Sequence, residues 1–107
     1  MRFVAITPYL ALIREAHRLV LSWTRFEGQR VDAFTATLTR EDVAACGAAL
    51  DRHQAWSSKD GLARLRLGDD ASVTLGLRKA GEAEFVDLAL DGEARRRLRE
   101  GIAQFTR

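Results

Sequence analysis

The sequence predicts an α+β domain: an antiparallel sheet of about five strands, a central helix and a C-terminal helix packed on one face, and an N-terminal helical segment. Three observations carry this. Residues 39–56 have amphipathic helical spacing behind a well-formed helix start. Residues 62–90 hold three short alternating segments separated by turn residues. From about residue 93 the spacing is helical again.

Residues 1–6 alternate weakly and predict a short strand. Thr7-Pro8 reads as a helix start, a cap residue with proline at the first helical position. Over residues 8–25, Ala11, Arg14, Glu15, Arg18, Ser22 and Arg25 fall on one polar helical face, with Leu12, Ile13, Ala16, Leu19, Val20 and Trp23 opposite. A strand competes for the second half of that stretch, because Leu19, Leu21 and Trp23 alternate and Gly28 then separates a second strand-like run. The preferred reading is a helix near 8–17 leading into a strand over 19–26, with one long helix as the alternative. Residues 31–38 predict a strand with Phe34, Ala36 and Leu38 on one side and Thr35 and Thr37 on the other.

The central helix opens with Thr39-Arg40-Glu41-Asp42. The Thr39 hydroxyl can accept from the Asp42 N–H, and both acids suit the positive end of the helix dipole. Val43, Cys46, Leu50 and His53 then share a face, flanked by Ala44, Ala45, Ala48 and Ala49. Residues 57–61 form a polar loop. Ala63, Leu65 and Leu67 alternate with Arg64 and Arg66; Val73, Leu75 and Leu77 and then Val86, Leu88 and Leu90 repeat the pattern. Such strands belong to an antiparallel sheet covered on one side. In the last helix Asp91 is the expected cap and Ala94, Leu98, Ile102 and Phe105 the apolar seam, with Gly101 marking a close contact. No internal repeat or linker interrupts the chain.

Composition bounds the rest. The 107 residues suit one domain over 1–107 and suffice for a core without disulfides or metals. Hydrophobic residues make up 47% and charged residues 30%, a globular balance. A net charge of +2 is too mild to imply nucleic acid. Fifteen of the seventeen basic residues are arginine, which a GC-rich genome explains without selection for bidentate contacts. No apolar run is long enough to span a bilayer, and Pro8 interrupts the stretch after Arg2 that would otherwise resemble a signal peptide, so the cytoplasm is expected.

Nothing selects a catalytic centre, a cofactor or a metal. Cys46, the single cysteine, lies on the apolar face of the helix and reads as a buried thiol. It stands two helical turns from His53, roughly 10 Å along the axis, too far to form a dyad. His17 and His53 are isolated, and Asp69-Asp70 reads as a turn. Ser57 and Ser58 lack the flanking glycines of a nucleophile elbow. Arg95, Arg96, Arg97 and Arg99 are the densest charge feature, yet Glu93 and Glu100 interrupt them, so a solvated face is the first reading. Arg64, Arg66 and Arg78 would extend the patch if the fold brings them alongside. Trp23 and Trp56 suit core anchors, and Trp56, before the polar loop, also suits a binding hot spot. The partner-binding candidates are therefore Arg95, Arg96, Arg99, Arg64, Arg66 and Trp56.

The order of a strand, then Leu38-Thr39-Arg40-Glu41-Asp42-Val43, then a helix and a meander over 62–90 resembles small bacterial immunity-like proteins of polymorphic toxin systems, over roughly residues 19–105. The resemblance implies a non-enzymatic protein that binds a partner, and it supplies no site residues. The expected function is protein binding, as an immunity or inhibitor protein that occludes its partner. Nucleic-acid binding through the arginine-rich C-terminal helix and basic strand residues is the alternative. A membrane partner is not expected, and the sequence leaves a homodimer open.

Overall fold

A computed structural model describes residues 2–70 and 72–106. Met1 and Ala71, which the sequence assigns to the first strand and to a turn, lie outside the described residues. Strands β1 (Arg2–Thr7), β2 (Leu10–Glu15), β3 (Arg18–Glu27) and β4 (Arg30–Leu38) precede helix α1 (Arg40–Arg52). Strands β5 (Trp56–Ser57), β6 (Ala63–Leu67), β7 (Val73–Leu77) and β8 (Val86–Leu90) precede helix α2 (Gly92–Thr106). Four strands followed by a helix thus occur twice, with no sequence period to announce it. All pairings are antiparallel and follow chain order, in two four-stranded sheets, β1-β2-β3-β4 and β5-β6-β7-β8.

The α+β class and the antiparallel pairing agree with the sequence. Two finer expectations are corrected. The single sheet of about five strands is instead two sheets of four. The N-terminal helical segment near 8–17 is instead the turn into β2, β2 itself and the turn into β3, while the strand over 19–26 is present. Pro8-Tyr9 reverses the chain between β1 and β2, because a fixed proline φ suits a tight turn as well as a helix start. The next reversal, Ala16-His17, has no glycine, asparagine or proline, and Ala16 itself takes φ +22°. With no punctuation there, the apolar residues from Leu10 to Leu21 fit either period. Cross-strand pairing of Leu12 with Leu21 buries both and decides for the strands.

Helix α1 starts as expected. Thr39 Oγ1 accepts from the Asp42 N–H at 3.1 Å, and the Asp42 carboxylate accepts from the Thr39 N–H at 3.1 Å. The helix stops at Arg52 rather than near residue 56, because His53 adopts the left-handed conformation (φ 58°, ψ 57°) and donates its N–H to the Ala49 carbonyl. His53 is therefore an exposed cap, not part of the apolar face, and Trp56 opens the second sheet opposite Leu65. Asp91 caps α2 through the Ala94 N–H at 2.7 Å.

Helix α2 lies on the inner face of the first sheet, against β1 and β2. Gly101 makes this possible: a Cβ there would stand 2.6 Å from Leu12 Cδ1. Helix α1 lies against β4 and β5 and crosses α2 at Gly47, where a Cβ would meet Ile102 Cγ2 at 3.3 Å. The inner faces of both sheets and the two helices share one core, with Leu12, Leu38, Val43, Leu65, Leu75 and Ile102 among its fully buried side chains.

Carboxylates join the parts, Asp32 and Asp42 buried and Asp60 exposed. Asp32 of β4 accepts from Lys79 Nζ at 2.8 Å and Arg25 Nη2 at 3.1 Å, linking the two sheets, and both cations lie 5.3 Å from the Phe34 ring centre. Asp60 accepts from the Thr37 N–H at 3.1 Å and from Ser58 Oγ at 2.6 Å, and Asp42 accepts from the Lys59 N–H at 3.0 Å. The loop between β5 and β6 is thereby tied to β4 and to the start of α1. No helix among the described residues is long and apolar enough to cross a membrane.

Candidate interaction surface

The pleat of the first sheet decides what each face carries. Val4, Leu12, Leu21 and Ala36 stand abreast on the inner face. The intervening residues point outward. Phe3, Ile13, Val20 and Thr37 form one row across the four strands, and Ala5, Ala11, Ser22 and Thr35 the next. Thr24 with Ala33 and Phe26 with Val31 complete the outward face.

This face is uncovered, since both helices pack on the other side. An antiparallel sheet open to water normally presents polar residues there. Here Phe3 is 66% exposed, Tyr9 58%, Phe26 55% and Val31 59%. Glu15 and Arg18 are the charged side chains on this face among the described residues, and they pair with each other at 2.8 Å at one end of the sheet. Tyr9, in the turn before β2, meets Phe26 edge to face at 5.1 Å between ring centres. That aromatic ridge and Phe3 flank a shallow hollow also lined by Ala11 and Ser22.

The arginines singled out from the sequence are mostly committed to neighbouring acids. Arg96 pairs with Glu93 and, at 2.8 Å, with Glu100. Arg99 grips Asp51 of α1 through two bonds of 2.7 and 2.8 Å. These partners hold the Glu93 and Asp51 carboxyls below their ordinary range, Arg96 acting chiefly on Glu93 and Arg99 on Asp51. Arg95 has no acid partner among the described residues and lines a shallow groove with Leu50, Arg96 and Arg99. Arg64 and Arg66 point outward from the second sheet toward Asp87, at 3.5 and 3.8 Å, and Arg64 also lies 3.8 Å over the Phe85 ring centre. No described hydrogen bond or ion pair joins these two arginine groups. Trp56 is half-buried and packs against the core, and Trp23 packs on Phe34.

Cys46 is buried, and burial, helped by the Asp42 charge, pushes its thiol up to about 12. No group of His, Cys, Asp and Glu among the described residues is arranged to hold a metal ion.

The outward residues Phe3, Tyr9, Phe26 and Val31 were not singled out by sequence reasoning. A helix placed over residues 8–17 separates them, and only the hairpins bring them together. One signal was available: the outward positions of β4 are Val31, Ala33, Thr35 and Thr37, a strand face with no charge at all. No family model, curated protein or solved structure matches the chain.

Proposed function

We propose that this chain is a non-catalytic protein-binding domain whose contact surface is the outward face of β1–β4. The observation that carries the reading is the exposure of Phe3, Tyr9, Phe26 and Val31 on a face whose described charges cancel. Contiguous exposed apolar surface marks interaction sites, and aromatic side chains concentrate binding energy. Where the partner is a different protein, occlusion of that partner, as by an immunity or inhibitor protein, is the specific form this function takes.

Protein is favoured over nucleic acid for an electrostatic reason. Single strands stack on aromatics only beside a basic groove that follows the phosphates. The outward face offers no unpaired base among the described residues, and Arg64, Arg66, Arg96 and Arg99 lie close to acids.

Capture from the native lysate tests this, with and without nuclease and at low and high salt. The baits are the wild type, a Phe26→Asp/Val31→Asp variant and an Arg95→Glu/Arg96→Glu/Arg99→Glu variant. The expected result is a stoichiometric protein, another copy of the chain included, held by the wild type and the arginine variant and lost from the face variant. A captured protein that follows the arginines instead overturns the placement on this face, and nucleic acid that is lost with nuclease or high salt overturns the reading in its own favour.

A further inference from the structure

We propose that the outward face of β1–β4 is covered by a second copy of the chain, in a two-fold dimer packed sheet on sheet. The inference rests on the protein-binding reading and names its partner.

Three properties of the face fit a copy of itself. The first is charge. A two-fold interface sets a patch against the same patch, so a charged face would repel its copy. Among the described residues this face is neutral, with Glu15 and Arg18 paired at one end, whereas the outward face of the second sheet carries Arg64, Arg66 and Asp87. The second is shape. The Tyr9–Phe26 ridge and the hollow lined by Ala11 and Ser22 lie side by side on one face, so each copy offers both a ridge and a recess. The third is area. Strands of 6, 6, 10 and 9 residues, at a rise of about 3.3 Å and a spacing of about 4.8 Å, give a flat footprint of roughly 500 Å². Two copies together cover about 1,000 Å² before side-chain relief is counted, which meets the threshold of roughly 1,000 Å² that a biological interface should clear. Sheets packed face to face interdigitate alternate side chains about 10 Å apart, the arrangement these outward rows would supply.

Sedimentation velocity and light scattering on the full chain, from about 1 to about 100 μM, read the outcome. The expected result is a species of twice the 11.9 kDa chain mass. Phe26→Asp should weaken dimerisation by about 100-fold or more with an unchanged circular dichroism spectrum. Val31→Lys, at a position 59% exposed, is the second variant should Phe26→Asp fail to fold, and Arg66→Glu on the other sheet should leave the dimer intact. A wild-type monomer across the range overturns the proposal, as does a dimer indifferent to both face variants. A monomer that still captures a different protein through Phe26 and Val31 removes the second copy as occupant and leaves the protein-binding reading standing. If the face variants change neither assay, both readings fall.

Discussion

Three helical glycines differ in what a methyl group would meet, and replacing each by alanine weighs helix propensity against packing. Nothing lies within 4 Å of a Cβ at Gly92; at Gly47 the nearest atom is Ile102 Cγ2 at 3.3 Å, and at Gly101 it is Leu12 Cδ1 at 2.6 Å. Alanine gains up to about 1 kcal/mol over glycine in a helix. Carbon atoms settle at about 3.5–4.0 Å, so the overlap at Gly101 is roughly 1 Å. Leu12 is fully buried opposite Leu21 and its Cδ1 can yield only into the small hollow that it lines with Val4 and Gly101, so overpacking costs about 1–3 kcal/mol. Gly101→Ala should therefore lose between zero and about 3 kcal/mol, while Gly92→Ala and Gly47→Ala should be neutral or stabilising by up to about 1 kcal/mol. Each kcal/mol moves the Tm by about 4–8 °C in a domain of this size. Urea unfolding followed by circular dichroism and by Trp23 and Trp56 fluorescence measures the series. Leu12→Ala alone should cost about 2–5 kcal/mol. With Gly101→Ala added, the new methyl enters the vacated space, and the double variant should be more stable than additivity predicts by about 1 kcal/mol or more. If Gly101→Ala matches Gly47→Ala and adds independently to Leu12→Ala, α2 does not press on β2 as described.

Two further outcomes follow from buried groups. Lys79 first, then Arg25, hold the Asp32 carboxyl at about 2, below its unfolded value of roughly 3.9, so its ionised form favours the native state. That stabilisation is complete above about pH 4 and is lost as pH falls toward 2; Asp32→Asn should lower the Tm at neutral pH and flatten the loss over that interval, and an unchanged slope would contradict the clamp between the sheets. The Cys46 thiol, pushed up to about 12 chiefly by burial, should resist an aryl disulfide reagent at pH 8 until the chain unfolds. Its stabilising effect holds below the ordinary thiol range and fades as pH rises toward 12, and native labelling as fast as in denaturant would refute the buried placement.

Local chemistry was legible in the sequence, and long-range pairing was not. Thr39 and Asp42 stand three residues apart, so the start of α1 could be read directly, and the alternation from Ala63 to Leu90 is punctuated by Gly68-Asp69-Asp70 and Gly81. The end of α1 was hidden because His53, not glycine, takes the left-handed position. The first sheet was obscured by the unpunctuated Ala16-His17 reversal. Its docking on the second sheet rests on contacts such as Asp32 with Lys79, 47 residues apart. The arginine patch divides the same way: the Arg96–Glu100 pairing is visible at four residues, while Arg99 reaches Asp51 across 48. The outward apolar face emerges only when four strands align, so no single window of sequence displays it.

The docking of α2 on β1 has a consequence during synthesis. The fifteen-residue helix α2 covers β1, a strand made well before it. At about 5–20 residues per second, several seconds separate the emergence of β4 from that of α2. Throughout that interval Val4, Leu12 and Leu21 lack their cover on one side while Phe3, Phe26 and Val31 stand bare on the other. The nascent first sheet thus exposes apolar side chains on both surfaces. A stop codon or bulky fusion that displaces α2 would therefore strike first at the N-terminal strands, and inclusion bodies rather than a soluble half-molecule are the outcome such chains should produce.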